Sequence, residues 1–253
     1  MARYQLFCIP HAGASAAVYY RLRAPLAELA EVLPVELAGH GARMSEPLPI
    51  SVAEHVDDLY PRIRKQFDGR PVVLFSHSMG TLIGYELLRR LEADAGLIAE
   101  HAIFSGRHTP EIPATSDWHT FPDRAFLGMI RRIGGTDPAV LDNPELTRVF
   151  LPVLRADYQV AETFRLPDLG RVLNCPVAAF AGSTDGFVSE AELLRWGEFT
   201  TASFSSQIFP GGHFYLFDDI KRTCCAISQV LLGTGAAHPA DLFTGRSIHK
   251  VSE

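Results

Sequence analysis

Long apolar runs, cysteine and an excess of positive charge are all scarce in these 253 residues. No stretch approaches the roughly 20 apolar residues that a membrane-spanning helix requires. A helical membrane protein is therefore excluded, and no membrane partner is expected. The chain carries 23 Lys and Arg against 29 Asp and Glu, a formal net charge of −6. That balance argues against a nucleic-acid binder, which presents a basic face. The opening, MARYQLFCIPHAG, has no charged segment followed by a long apolar one and a cleavage site, so it reads as the first strand of a fold and not as an export leader. A cytoplasmic location is expected. The four cysteines stand at 8, 175, 224 and 225, spacings that match neither a zinc site nor a C-x-x-C redox pair. Cys8 and Cys175 lie in apolar strand-like runs, where a free thiol behaves as a small hydrophobe. Internal repeats are absent too.

What is present is ordinary globular material, 47% hydrophobic and 21% charged, arranged as strand alternating with helix. Tyr4 to Ile9 is an apolar strand ending in the small-residue loop Pro10-His11-Ala12-Gly13-Ala14-Ser15, after which Val18, Tyr19, Leu22, Leu26 and Leu29 repeat at helical spacing. A second strand, Glu31 to Leu37, runs into Ala38-Gly39-His40-Gly41. Ser51 and Glu54 have capping-box spacing ahead of a helix that turns Val52, Val56, Leu59 and Ile63 inward. Val72 to Phe75, Leu97 to Ser105, Pro176 to Gly182 and Ser203 to Phe209 complete the strands, with helices expected at Ser189 to Gly197 and Leu216 to Leu232. Alternation of this kind implies an α/β fold with a mostly parallel sheet covered on both faces. Between residues about 109 and 173 the alternation stops. Prolines and helical patches occupy that stretch, the best helices being Phe121 to Ile133 and Glu145 to Phe164. An all-helical insertion between two strands is expected to form a lid over the ligand site of a single domain. From Gly233 onward a loosely ordered tail is expected.

The chemistry concentrates at strand ends. Ser76-His77-Ser78-Met79-Gly80 lies between a strand and a helix, the context in which G-x-S-x-G forms a nucleophile elbow. Serine at position 76 departs from that pattern. A serine hydroxyl needs a base within hydrogen-bond reach, and the base needs an orienting carboxylate. Asp185, after the strand ending at Gly182, and His213, in the loop after the last strand, supply both in the chain order Ser, Asp, His. All three fall at the edge of a parallel sheet where open α/β folds bind ligands. Backbone N–H groups of Met79 and Ala12 are the expected oxyanion hole, and Gly13 permits the turn that presents Ala12. His11, Gly13, His77 and Arg107 are the residues expected around the substrate. His77 also reads as a packing residue, since the direct neighbour of the nucleophile points away from the elbow tip. His40 and His108 stand at strand ends as further candidates for the pocket wall.

Taken together, CIPHAGAS, LAGHGAR, SHSMG, SGRHTP and FPGGHFYL, with RADYQVAETF in the helical insertion, resemble the type II thioesterases. Those are stand-alone editing enzymes that accompany non-ribosomal peptide and polyketide synthases. The resemblance covers about residues 4 to 232 and implies an α/β-hydrolase fold with a helical lid. It implies hydrolysis of acyl groups from the phosphopantetheine arm of a carrier protein, with Ser78, Asp185 and His213 as the triad and no cofactor of the enzyme's own. A transient acyl or peptidyl carrier protein is the implied partner, and a monomer is expected. Arg107, Arg131, Arg132 and Arg155 around the lid mouth are candidates to meet the acidic carrier, against the plainer reading of solvated surface arginines. Ser76 and Ala14 stand where the family has glycine. Three other readings share the motifs: a carboxylesterase, an acyltransferase or cyclase on the same fold, and a hydrolase-like binding protein without turnover.

Overall fold

The computed structural model describes residues 2–167 and 172–233. Its frame is a six-stranded, all-parallel sheet in the order β2-β1-β3-β4-β5-β6. The strands are β1 (Tyr4–Ile9), β2 (Ala30–Pro34), β3 (Val72–His77), β4 (His101–Ser105), β5 (Val177–Gly182) and β6 (Phe204–Phe209). Chain order reverses beside β1, because β2 lies on one side of it and β3 on the other. A crevice opens at such a switch point, outside the C-terminal strand ends.

Three of these strands, β1, β3 and β5, are buried along their whole length, which is why they read as continuous apolar runs and not as alternating ones. Alternate side chains nevertheless serve two cores. Leu6, Cys8, Val73, Phe75, Ala178 and Phe180 pack on one face with Tyr19, Leu26 and Ile227. Phe7, Ile9, Val72, Leu74, Phe104 and Ala179 pack on the other with Leu59, Ile83, Leu87 and Trp196.

Helices α2 (Val52–Arg64) and α3 (Met79–Ala95) lie on the second of these faces and α9 (Ile220–Leu231) on the first. The inward residues of α2 are those expected. Its N-terminus, however, is capped in a different pattern from the capping box: Ser51 accepts from the Glu54 N–H, while the Glu54 carboxylate accepts from the Ile50 N–H. The full capping box forms at Ser189 and Glu192, ahead of α7 (Glu190–Leu194). Several expected helices are shorter than their periodicity suggested. Residues Ala16–Leu22 form a 3-10 helix that passes into α1 (Arg23–Leu26). The last helix divides into α8 (Tyr215–Asp218) and α9, because the Asp219 carboxylate accepts the Arg222 N–H and restarts the helix.

Between β4 and β5 the structure has α4 (Asp123–Ile133), α5 (Pro138–Asp142) and α6 (Pro144–Thr163). Phe126, Met129, Ile130 and Leu154 give this segment a small core of its own. The charged residues of RADYQVAETF fasten it. Arg155 donates to the carbonyls of His119 and Phe121 and pairs with Asp123. Glu162, almost fully buried, accepts from the N–H groups of Trp118 and His119 and from the His119 ring. No helix among the described residues is long and apolar enough to cross a membrane. Cys8 and Cys175 are buried free thiols, as read from sequence; Cys224 is a third and Cys225 is an exposed one. The tail expected after Gly233 lies outside the described residues.

Candidate active site

The site begins with a strained residue. Ser78 links β3 to α3 at φ 55° and ψ −119°, the one described non-glycine residue with positive φ. Such a conformation costs on the order of 1–3 kcal/mol and persists only where its surroundings impose it. Here the Ser78 N–H donates to the Ser105 carbonyl at 2.8 Å and its own carbonyl accepts from Thr81 at 3.0 Å. Close packing of strand and helix does the rest. A Cβ on Gly80 would lie 2.5 Å from the Pro10 carbonyl oxygen, so glycine is what lets the end of β1 meet the start of α3. Two positions before the nucleophile, the serine that departs from the motif is accommodated by a second glycine eight residues on. Ser76 Oγ occupies the place where a Cβ on Gly84 would sit, 2.3 Å away. The Ser76 hydroxyl has no hydrogen-bond partner among the described residues.

The three side chains expected to act together do meet. His213 Nε2 lies 2.9 Å from Ser78 Oγ, and His213 Nδ1 lies 2.9 Å from Asp185 Oδ2. Asp185 also accepts the Phe187 N–H at its other oxygen. A carboxylate only accepts, so Nδ1 carries the proton and the Nε2 lone pair faces the Ser78 hydroxyl, the tautomer a general base requires. The Asp185 side chain is fully buried and that of His213 nearly so. Gly182 fixes their spacing, because a Cβ there would lie 2.2 Å from the Gly212 carbonyl oxygen, holding the end of β5 against the loop of His213. Phe187 and Phe214 flank the His213 ring at centroid distances of 4.6 and 5.0 Å.

A cavity of about 390 Å³ opens between these residues and the helical segment. His11, Ala12, Ser78, Met79, Arg107 and His213 line it from the sheet side, and Trp118, Ile130, Leu154 and Tyr158 from above. A larger groove of about 530 Å³ lies between α2, α3 and the end of α6, remote from every strand end that carries the triad.

Two residues expected around the substrate stand elsewhere. His77 is fully buried beneath the site, outside the cavity wall, its Nδ1 2.9 Å from Ser105 Oγ, which is 2.6 Å from the Tyr215 hydroxyl. Burial, then repulsion from His213 and His11, drives its pKa well below the usual value, so it stays neutral against the His213 ring 4.9 Å away. Its packing reading is the one that fits. Gly13 lines a separate, smaller cavity with Gly39, His40 and Phe150. His11 is buried too, and burial followed by His213 lowers its pKa to about 3.

The arginines proposed for the lid mouth are mostly committed within the fold. Arg107 reaches under the helical segment to the Ala161 carbonyl, Arg131 pairs with Asp142, and Arg155 is held as described above. Arg132 is exposed. Sequence reasoning missed Asp157, buried on α6 and bonded to the loop that contains Ala12. Its only signal was a charged residue in the middle of a helix with apolar neighbours.

Comparison with known proteins agrees with this geometry. A family model described as a thioesterase domain matches residues 4–231. Thioesterase PikA5 of Streptomyces venezuelae is 37% identical over 236 residues, which cover 93% of this chain and 84% of that protein. ClbQ, from the colibactin NRPS/PKS pathway, superposes with a TM-score of 0.86 at 32% identity, covering 92% of this chain and all of that one. The type II thioesterase BorB from the borrelidin biosynthetic cluster gives a TM-score of 0.82 at 35% identity, covering 90% of this chain and 92% of that one.

Proposed function

The chain belongs to the thioesterase family, and from that premise we propose that it is a stand-alone type II thioesterase working through an acyl-serine intermediate. Its substrates in this reading are acyl thioesters on the phosphopantetheine arm of carrier proteins from a peptide or polyketide synthase. The observation that carries the serine chemistry is the unbroken relay Asp185–His213–Ser78, opening on a cavity that Ala12 and Met79 share.

The mechanism follows from that geometry. His213 Nε2 takes the proton of Ser78 as Oγ attacks the thioester carbonyl, and Asp185 stabilises the imidazolium. Charge developing on the carbonyl oxygen is met by the Met79 N–H, at the first position of α3, and by the Ala12 N–H. Collapse of the tetrahedral intermediate breaks the C–S bond, and the pantetheine thiol leaves with the proton held by His213. Water then attacks the acyl-Ser78 ester with His213 again as base, releasing the acid. The cavity lies near the lower end of the ~300–1,000 Å³ typical of small-molecule sites, which favours short or compact acyl groups.

The deciding experiment is mass spectrometry of the intact enzyme against a panel of acyl-carrier proteins, alongside hydrolysis of acyl-N-acetylcysteamine and p-nitrophenyl esters. The expected result is an acyl adduct on Ser78, absent in Ser78→Ala, and preference for the carrier-bound thioester. Asp185→Asn should lower kcat by about 10⁴-fold through the wrong His213 tautomer. A strong preference for the simple ester would overturn the thioesterase assignment.

A further inference from the structure

A buried carboxylate joins the helical segment to the turn that carries Ala12. Asp157 lies on α6, only 1% exposed, and its Oδ2 accepts from the Gly13 N–H at 2.6 Å and from His40 Nε2 at 2.8 Å. His40 Nδ1 lies 2.9 Å from the Ala38 carbonyl. Both partners of the His40 ring are acceptors, so both ring nitrogens donate and the ring is an imidazolium paired with Asp157. Burial alone would lower the His40 pKa, but the hydrogen bond and charge of Asp157 outweigh it and the net shift is upward.

The turn shows what this pair controls. The Ala14 N–H donates to the His11 carbonyl at 3.2 Å, so His11 to Ala14 form a hydrogen-bonded turn. Gly13 has φ +76° while Ala12 is not among the residues with positive φ, which makes it a type II turn. Types I and II differ by a flip of the central peptide, here Ala12–Gly13, and glycine at the third position tolerates both. A flip would exchange the Gly13 N–H for the Ala12 carbonyl and turn an acceptor toward Asp157. Leu154 closes the remaining space, since a Cβ on Gly13 would lie 2.4 Å from its Cδ2.

The geometry points to Asp157, braced by His40, as a positioning residue that locks the turn presenting the Ala12 N–H, so that seating of α6 is a condition for a complete oxyanion hole. This rests on the reading of Ala12 as an oxyanion donor. An oxyanion-hole donor acts on the transition state and not on the bound substrate, so its misplacement is read in kcat. Losing a whole donor costs about 10²–10³-fold in kcat, and a displaced donor should cost about 10–100-fold.

The test compares Asp157→Leu, which removes the acceptor while keeping the branching at Cγ, with Asp157→Asn, whose amide oxygen still accepts the Gly13 N–H. Rates are measured on an acyl-N-acetylcysteamine thioester well below the melting temperature of each variant. Asp157→Leu should lose about 10–100-fold in kcat with KM within about threefold, and its affinity for an alkyl phosphonate analogue should fall in step with kcat/KM. Asp157→Asn should keep at least about a third of kcat. If Asp157→Leu keeps kcat within about twofold, or raises KM alone, the proposal is overturned. If Asp157→Leu fails to fold, His40→Gln, which retains a donor to Asp157, is compared with His40→Ala. A kcat at least about fivefold higher in His40→Gln supports the proposal, and anything less overturns it. Failure of Ser78→Ala to abolish turnover would instead sink the serine mechanism on which this rests, a result distinct from any outcome at Asp157.

Discussion

Ser76 and Gly84 share one space, and exchanging their volumes should expose the sharing. A Cβ on Gly84 would lie 2.3 Å from Ser76 Oγ, 2.9 Å from Leu74 Cδ2 and 3.2 Å from Ser76 Cβ. Gly84→Ala alone gains about 1 kcal/mol of helix propensity but overpacks a fully buried site, at about 1–3 kcal/mol. The variant should therefore be neutral to about 2 kcal/mol less stable. Ser76→Gly removes a buried hydroxyl that has no partner among the described residues, a relief of about 1–3 kcal/mol. Against that stand about 0.5–1 kcal/mol for glycine in a strand and a small void. In the Ser76→Gly background, Gly84→Ala meets only the end of Leu74, and its helix propensity is recovered. The two substitutions should thus couple favourably by about 2 kcal/mol, well beyond the ~0.3–0.5 kcal/mol scatter of independent sites. For a chain of this size that is a non-additivity of about 4–8 °C in Tm. Thermal melts of the four proteins in the cycle measure it, with kcat on a thioester substrate beside them. Ser76→Gly should stay folded with kcat within about threefold. Additive Tm values within about 1 °C would refute the shared-space account, and loss of most activity in Ser76→Gly would reveal a role for its hydroxyl.

Two further outcomes can be checked directly. His55 is fully buried with neither ring nitrogen partnered among the described residues, and burial lowers its pKa to about 4. The unfolded chain binds this proton below about pH 6.5 while the folded one does not, so stability is lost as pH falls from about 6.5 toward 4. The share at pH 5 is roughly 2 kcal/mol. His55→Leu should flatten the acid limb of a plot of Tm against pH, and an unchanged limb would show that His55 is not neutral in the fold. At Gly106, with φ +66°, an added Cβ would lie 2.5 Å from His77 Cε1 and 3.2 Å from His213 Cε1. Gly106→Ala is therefore expected to lower kcat at least about tenfold while the far-ultraviolet spectrum holds, and full activity would show that the two rings yield without consequence.

The sheet was legible because its strands are buried on both faces: Val72-Val73-Leu74-Phe75 and Val177 to Gly182 need no periodicity to be recognised. The triad was legible because each member follows a strand, and parallel strands deliver such loops to one edge. Other features were hidden for physical reasons. Ser76 looked like a defect because its compensation, Gly84, lies on another element, and propensity rules treat a helical glycine only as a cost. The stretch from Val18 to Leu29 carries helical spacing but is wound largely as a 3-10 helix ahead of Pro25. Arg107 and Arg155 read as surface charges, because nothing local says that their targets are backbone carbonyls beneath and within the helical segment. Asp157 showed only as a charge inside an apolar helix, and nothing near it in sequence named its partners, since Gly13 and His40 are more than a hundred residues away.

The strained backbone of Ser78 sets reactivity and durability against each other at a single position. Glycine accepts φ 55° without strain, so the substitution that abolishes the nucleophile also relaxes the elbow. Such a variant is expected to be at least as stable as its parent, with the cavity and its walls intact. Selection for robustness alone would therefore erode this enzyme at its own active centre, and the serine persists there only while turnover is needed. The same trade makes Ser78→Gly a natural decoy, a long-lived protein that keeps the cavity of the active form and none of its turnover.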